Sequence, residues 1–183
     1  MRVLIVDDES LIRMDLRDII ESCGHEVVAE GTNGVEALVL CKKHKPDIIL
    51  MDVKMPELDG IEAARQIGFH HEAPVVLLTS YSQQDLIDKA RDSGVYGYLI
   101  KPVREEQLVP TLEMALGRYK SDAQLREKMA ELEQSLEDRK IIQKGTGILM
   151  ELYSISEVEA YNRIRTLSTV SYTHLRAHET AAN

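Results

Sequence analysis

Four short apolar runs in this sequence each lead directly into a side chain able to do chemistry. Asp7 and Asp8 follow "VLIV", Asp52 follows "DIILM", Thr79 follows "PVVLL" and Lys101 follows "YGYLI". Carboxylates brought together repel one another unless a cation joins them. Oxygen-only ligation favours a hard ion, and Mg²⁺ accepts a few carboxylates together with waters and phosphate oxygens. A carboxylate can also accept a phosphoryl group as an aspartyl phosphate. Mg²⁺ would then neutralise developing charge, while the Lys101 ammonium and the Thr79 hydroxyl hold the phosphoryl oxygens. One Asp after a strand is most often a cap or turn former. The weight comes from four strand ends carrying a matched set.

Such a set needs a scaffold that ends its strands at one rim. "RVLIV", "EVVA", "DIILM", "PVVLL" and "YGYLI" read as strands, and "SLIRMDLRDIIESC", "GVEALVLCKKH", "DGIEAARQIGF" and "QQDLIDKARDSG" read as helices between them. Consecutive apolar positions within the strands imply helices on both faces of the sheet. The pattern predicts an α/β fold, a doubly wound five-stranded parallel sheet. Ligands in such sheets bind beyond the carboxyl ends of the strands, where these side chains fall.

The rest of the chain is helical in pattern. A fifth helix starts near Arg104, and from Leu125 the apolar residues Met129, Leu132 and Leu136 recur at spacings of four, three and four. That spacing predicts a coiled-coil linker over 119–138 and a homodimer formed through it. "LEDRKIIQKGTGILMELY", a break at "SIS" and "EVEAYNRIRTLS" then predict a helical hairpin, its second helix capped by Ser154 or Ser156. Arg139, Lys140 and Lys144 recur along its first helix, and Arg163 and Arg165 lie on the second.

Composition narrows the function classes. The 183 residues are 44% hydrophobic, enough for a core, which must be aliphatic because Trp is absent and Phe occurs once. A formal charge of −9 argues against a surface that coats nucleic acid broadly, while leaving room for a local basic face. Cys23 and Cys41 lack metal-ligand spacing and are expected to be reduced thiols. No apolar run approaches membrane-spanning length, and "MRVLIVDDES" turns acidic too early for a signal peptide, so a cytoplasmic protein without a membrane partner is expected. No recognition-helix pattern suggests DNA. His70 and His71 adjoin each other between a helix and a strand and read as a solvated loop.

"VLIVDDES", "DIILMDVKMPELDG", "PVVLLTS" and "YGYLIKP" together resemble the receiver domain of two-component response regulators, over about residues 1–118. The resemblance implies a flavodoxin-like fold, a sensor histidine kinase as partner and Asp52 as phosphoacceptor. It implies Asp8 and Asp52 as side-chain ligands of Mg²⁺, the Lys54 carbonyl completing the protein's share, and Asp7 acting mostly through a bound water. Thr79 and Lys101 would contact the phosphoryl group and Tyr98 would be the aromatic switch. The Lys101–Pro102 peptide would be cis. An aspartate-nucleophile phosphohydrolase would show Asp-x-Asp at the nucleophile, but Lys54 stands at the second position. The chain is therefore not expected to be an enzyme beyond slow self-phosphorylation from small donors and self-dephosphorylation.

"RKII", "GILM" and "SEVEAYNRIR" resemble the ANTAR output module of transcription antitermination regulators, over 139–169. That resemblance implies binding to RNA hairpins through Arg139, Lys140, Lys144, Arg163 and Arg165. Tyr161 is placed either to stack on a loop base or to pack between helices. The other reading of the helical tail is a surface for a protein partner. Two departures stand out. Gly145-Thr146 occupies a place where the family tends to have Ala and a basic residue, which implies a missing RNA contact. After Ser168 no apolar face matches the family's third helix, so the module is expected to be incomplete. "VSYTHLRAHET" is similar to the translation of a transposase sequencing adapter, which implies a non-native tail over 170–183. His174 and His178 in it are accordingly given no metal role.

Overall fold

The computed structural model describes residues 1–70, 72–80 and 94–166. The chain divides into two compact units, Met1–Ala123 and Gln124–Asn183. In the first, β1 (Arg2–Val6), α1 (Ser10–Ser22), β2 (Glu26–Gly31), α2 (Gly34–His44), β3 (Ile48–Asp52), α3 (Gly60–Phe69), β4 (Val75–Thr79) and β5 (Val95–Ile100) follow one another. A long helix, α4 (Glu105–Tyr153), comes next. The helix expected over "QQDLIDKARDSG" falls, apart from Gly94, outside the described residues, as do His71, His174 and His178.

All four strand pairings are parallel, in the order β2-β1-β3-β4-β5. This is the flavodoxin-like doubly wound order, and its direction reverses between β1 and β3. The crevice at that reversal lies between the strand ends that carry Asp7, Asp8 and Asp52.

Alternation along the strands splits the core in two. Leu4, Val6, Ile49, Met51, Val75 and Leu77 pack with Ala37, Cys41, Ala63, Ala64 and Ile67 of α2 and α3. Val3, Ile5, Ile48, Leu50, Val76 and Leu78 pack with Leu16 and Ile20 of α1 and with Leu108, Leu112 and Ala115 of α4. Both faces of β1, β3 and β4 are thus buried, which accounts for their unbroken apolar runs. Cys41 is buried and Cys23 half-buried, and neither is in a disulfide. Burial pushes the Cys41 thiol up to about 12, with the neighbouring Glu72 charge adding to the effect, so it is an inert core residue.

The loop after β3 is fixed by two close approaches. A Cβ on Gly60 would lie 1.9 Å from the Asp52 carbonyl oxygen, and one on Gly34 would lie 2.5 Å from the Leu58 oxygen. The Gly60 amide donates to Val53 O at 2.9 Å and the Gly34 amide to Leu58 O at 3.0 Å. Asp59 caps α3 by accepting from the Glu62 amide at 2.8 Å, and Asn33 caps α2 through the Glu36 amide at 2.8 Å.

In the second unit, α4 runs to Tyr153, and a second helix, α5, covers 157–166. Ser154 ends α4 with a left-handed φ of 51°, and Ser156 caps α5 by accepting from the Glu159 amide at 3.3 Å. Of the two serines proposed as caps, Ser156 is the one. Thr146 and Ala160 are buried between the helices. A Cβ on Gly145 would meet Ile164 Cδ1 at 3.1 Å, so this glycine lets the two helices approach closely. The helix continues through "GTG" although each glycine costs about 1 kcal/mol relative to Ala. No helix among the described residues is long and apolar enough to cross a membrane.

These contacts predict opposite signs for two glycine replacements. Gly60→Ala forces a methyl onto backbone that no side-chain rotation can clear, and should destabilise the first unit by about 3 kcal/mol. Gly117→Ala meets nothing within 4 Å in α4 and should stabilise by up to about 1 kcal/mol. Urea unfolding midpoints read both, and equal effects would contradict the account of the Gly60 contact.

Candidate functional site

β1, β3, β4 and β5 deliver the four expected strand ends to one rim. Asp7 is the first residue after β1 and is fully buried, while Asp8 beside it is exposed. Asp52 and Thr79 are the last residues of β3 and β4, and both are buried. Lys101 directly follows β5, held by its own amide donating to Thr79 O at 2.8 Å, and the Lys101–Pro102 peptide is cis. Lys54 lies two residues past Asp52 with its side chain in solvent. Tyr98, on β5, is 44% exposed.

Lys101 unites the acidic groups. Its Nζ lies 2.7 Å from Asp7 Oδ2 and 2.8 Å from Asp52 Oδ1. Burial pushes the Asp52 carboxyl above its ordinary value and the Asp7 charge adds to that, against the downward pull of Lys101. For Lys101, burial works to lower the ammonium's pKa, but its hydrogen bonds to Asp52 and Asp7 outweigh this and raise it. The two partners do not shift as mirror images. The cation is favoured outright, while Asp52 still bears the cost of leaving water.

Carboxylate oxygens of Asp7, Asp8 and Asp52 all lie within 4.8 Å of one another. Asp7 Oδ2 is buried with the Lys101 ammonium as its neutralising contact and no other hydrogen-bond partner among the described residues. A pocket of hard oxygens with one buried lone-pair site to spare fits Mg²⁺, the ion expected from the sequence.

The β1–α1 turn is held by residues the sequence reading passed over. Arg13 Nη1 donates to the Asp7 carbonyl at 2.7 Å, and Arg13 Nε donates to Glu30 Oε2 at 3.1 Å. Arg17 Nε donates to Glu30 Oε1 at 2.7 Å. Burial works to raise the Glu30 carboxyl, but both guanidiniums together hold it below its ordinary value. The trace in sequence is the pair of arginines four apart in "RMDLR". Their acidic partner comes from β2, outside the helix that carries them, so it was not legible.

In the second unit, Arg139, Lys140, Lys144, Arg163 and Arg165 are all exposed, but they do not share one face. Arg139 and Lys140 line a groove of about 810 Å³ with Leu136, Met150, Val158 and Tyr161. Arg163 borders a separate hollow, with its guanidinium 5.8 Å from the centre of the Tyr153 ring. Lys144 and Arg165 line neither. Lys140 pairs with Glu137 at 3.1 Å and Arg163 with Glu159 at 3.0 Å, exposed contacts that an incoming anion can displace at little cost. Thr146 is buried, donates to Ile142 O at 2.8 Å and lines the same groove as Arg139 and Lys140, so the neutral residue leaves that groove without the cation a basic residue would bring. His70 is exposed, with its ring edge-on to Phe69, as a solvated loop residue would be.

Comparison with known proteins agrees with this geometry. A family model described as the response regulator receiver domain matches residues 3–113, and one described as the ANTAR domain matches 130–178. The chain is 43% identical over 164 residues to the transcriptional regulatory protein PdtaR of Mycobacterium tuberculosis, covering 90% of this chain and 80% of that one. Among solved structures, the signal receiver domain of a modulated diguanylate cyclase from Desulfovibrio desulfuricans superposes with a TM-score of 0.61 at 34% identity. That match covers 66% of this chain and 97% of the other. A chain of the CheX-CheY-BeF3-Mg complex from Borrelia burgdorferi gives 0.57 at 26% identity, covering 61% and 86%. The switch-point pocket and the matches on both sides of it carry the same conclusion: this chain belongs to the response regulators, with a receiver domain followed by an ANTAR domain.

Proposed function

We propose that Asp52 accepts a phosphoryl group from a sensor histidine kinase and that this controls RNA binding by the helical hairpin. The observation that carries the first half is Lys101 Nζ held between Asp7 and Asp52, at 2.7 and 2.8 Å. In the transfer, an Asp52 carboxylate oxygen forms the new P–O bond while the P–N bond of the kinase phosphohistidine breaks and the imidazole leaves. Lys101 holds a phosphoryl oxygen, and Thr79, at the end of the adjacent strand, supplies a hydroxyl for another. Asp7, Asp8, Asp52 and the Lys54 carbonyl would hold Mg²⁺, which when bound neutralises charge on the transferring group. The Borrelia relative, whose complex contains beryllofluoride and magnesium, supports this reading. Beyond its own phosphorylation and dephosphorylation, the site has no substrate chemistry.

The output reading rests on the groove between α4 and α5, where Arg139, Lys140 and Tyr161 offer two cations and an aromatic face. Single-stranded RNA loops are recognised by that combination of phosphate contact and base stacking. Leu125, Met129, Leu132 and Leu136 are each more than half exposed along α4, as a seam awaiting a second copy would be. Two hairpin modules joined in a dimer would engage paired RNA hairpins with avidity. Antitermination is the regulatory outcome this architecture favours.

Three measurements test these claims. Treatment with acetyl phosphate and Mg²⁺ should add one phosphate to the wild type by mass spectrometry and none to Asp52→Asn; equal labelling would remove Asp52 from its role. Beryllofluoride should raise the dimer fraction in analytical ultracentrifugation, and Leu132→Lys should abolish the rise by placing charge in the seam. A sedimentation profile unaffected by beryllofluoride would break the link between receiver and seam. In gel shifts with a two-hairpin RNA, Arg139→Glu with Lys140→Glu should weaken binding at least about tenfold and flatten its salt dependence. Undiminished RNA binding alongside capture of a protein partner would favour the tail as a protein-docking surface.

A further inference from the structure

The Asp7–Asp8 turn is held from both ends of one residue. The Asp7 amide donates to Gly31 O of β2 at 3.1 Å, and the Asp7 carbonyl accepts from Arg13 Nη1 of α1 at 2.7 Å. Asp7 Oδ1 accepts from the Glu9 amide at 3.0 Å, which closes the turn locally. Nothing in that local closure fixes the plane of the Asp7–Asp8 peptide against the sheet. Arg13 does, because its guanidinium is anchored in turn. Its Nε donates to Glu30 Oε2 at 3.1 Å, and Glu30 belongs to the same strand that accepts the Asp7 amide. Arg17 holds the other Glu30 oxygen through Nε at 2.7 Å and through Nη2.

We propose that Arg13 is a positioning residue for the acidic pocket, fixing the Asp7–Asp8 peptide so that the Asp7 and Asp8 carboxylates face Asp52. Glu30 is its anchor, and Arg17 serves Glu30 without touching the turn. The side chains of Arg13 and Glu30 are only 16% and 24% exposed, so the guanidinium is shielded enough to hold one geometry. An arginine suits the task because its planar fork reaches a carbonyl and a carboxylate at once. A lysine offers its donors from one nitrogen and lacks the spread fork that spans a carbonyl and a carboxylate on different elements. The oxygens of Asp7, Asp8 and Asp52 lie within 4.8 Å of one another with the turn in this orientation. Residues that orient metal ligands typically change metal affinity by about 10- to 100-fold when removed.

This inference rests on the reading of the pocket as an Mg²⁺ site, and its test separates the two. Mg²⁺ affinity of the full chain is measured by calorimetry for the wild type, Arg13→Met, Arg13→Lys and Arg17→Met. Hydrogen exchange of the peptide containing Glu9 is followed in the metal-free proteins. Arg13→Met should weaken Mg²⁺ binding about tenfold or more and speed exchange at the turn. Arg13→Lys should fall between Arg13→Met and wild type. Arg17→Met, which loosens the same Glu30 but leaves the Asp7 carbonyl its donor, should bind Mg²⁺ within about twofold of wild type. Equal losses in Arg13→Met and Arg17→Met would make the network merely structural and overturn the proposal, as would wild-type affinity in Arg13→Met. If Arg13→Met does not fold, Arg13→Lys decides alone: unchanged affinity and exchange overturn the proposal. A wild type that binds no Mg²⁺ overturns the reading of the pocket itself, and the role of Arg13 with it.

Discussion

Lys101 stands within 2.8 Å of two carboxylates that the fold has taken largely out of water, and the receiver unit is organised around that placement. Asp7 and Asp52 sit on neighbouring strands, so one cation can reach both only if it arrives from the same edge. A parallel sheet provides this, because every strand ends at the same rim. β4 lies between β3 and β5, and the Lys101 amide bonds to Thr79 O, so the lysine and the hydroxyl are fixed to one another before either meets a ligand. The same cation opposes the burial that raises the Asp52 carboxyl, and so favours its ionised form. A phosphoryl group on Asp52 would bring new negative charge to that cation. The contacts of Lys101 would then be redistributed, and local electrostatics of this kind can bias a larger two-state element.

Strand ends and strand faces were legible because they obey simple physics. A strand covered on both sides must be apolar throughout, so a carboxylate or lysine marks where it leaves the core. The limits of that logic are also visible. β2 was read as "EVVA", yet it runs through Glu30 and Gly31. Glu30 lies just past the apolar run that the reading rested on. In the fold it is a strand residue whose charge is met by Arg13 and Arg17, two residues on α1 that share no strand pattern with it. Gly60 similarly reads as a helix start, while the reason for glycine is a carbonyl on β3 that only the folded chain brings near. Tertiary partners, not local propensity, hold the information that was missing.

For the second unit the sequence carried the helix–break–helix pattern but not the disposition of its charges. Five basic residues look like one cluster on paper because they fall within two adjacent helices. A helix turns about 100° per residue, so Lys140 projects nearer to Lys144 than to Arg139, yet it is Arg139 and Lys140 that line the groove, while Arg163 borders the other hollow. The groove keeps the pair that flanks Tyr161. That separation makes Arg139 and Lys140 the stronger candidates for a specific contact, and leaves Lys144, Arg163 and Arg165 to supply longer-range attraction that salt would screen.

Gly145 and Thr146 give the hairpin its economy. Among the described residues, the end of α4 and the short α5 bury little apolar surface, and small cores are marginal. Closer approach increases what each side chain covers, and glycine at 145 permits it by leaving Ile164 room at 3.1 Å from where a Cβ would stand. The cost is helix propensity, about 1 kcal/mol at that position. Thr146 next to it is buried, and its hydroxyl is satisfied within its own helix by Ile142 O, so it needs no polar partner across the interface. Thr146 lines the same groove as Arg139 and Lys140, so the neutral residue at 146 leaves positions 139 and 140 to carry the positive charge there.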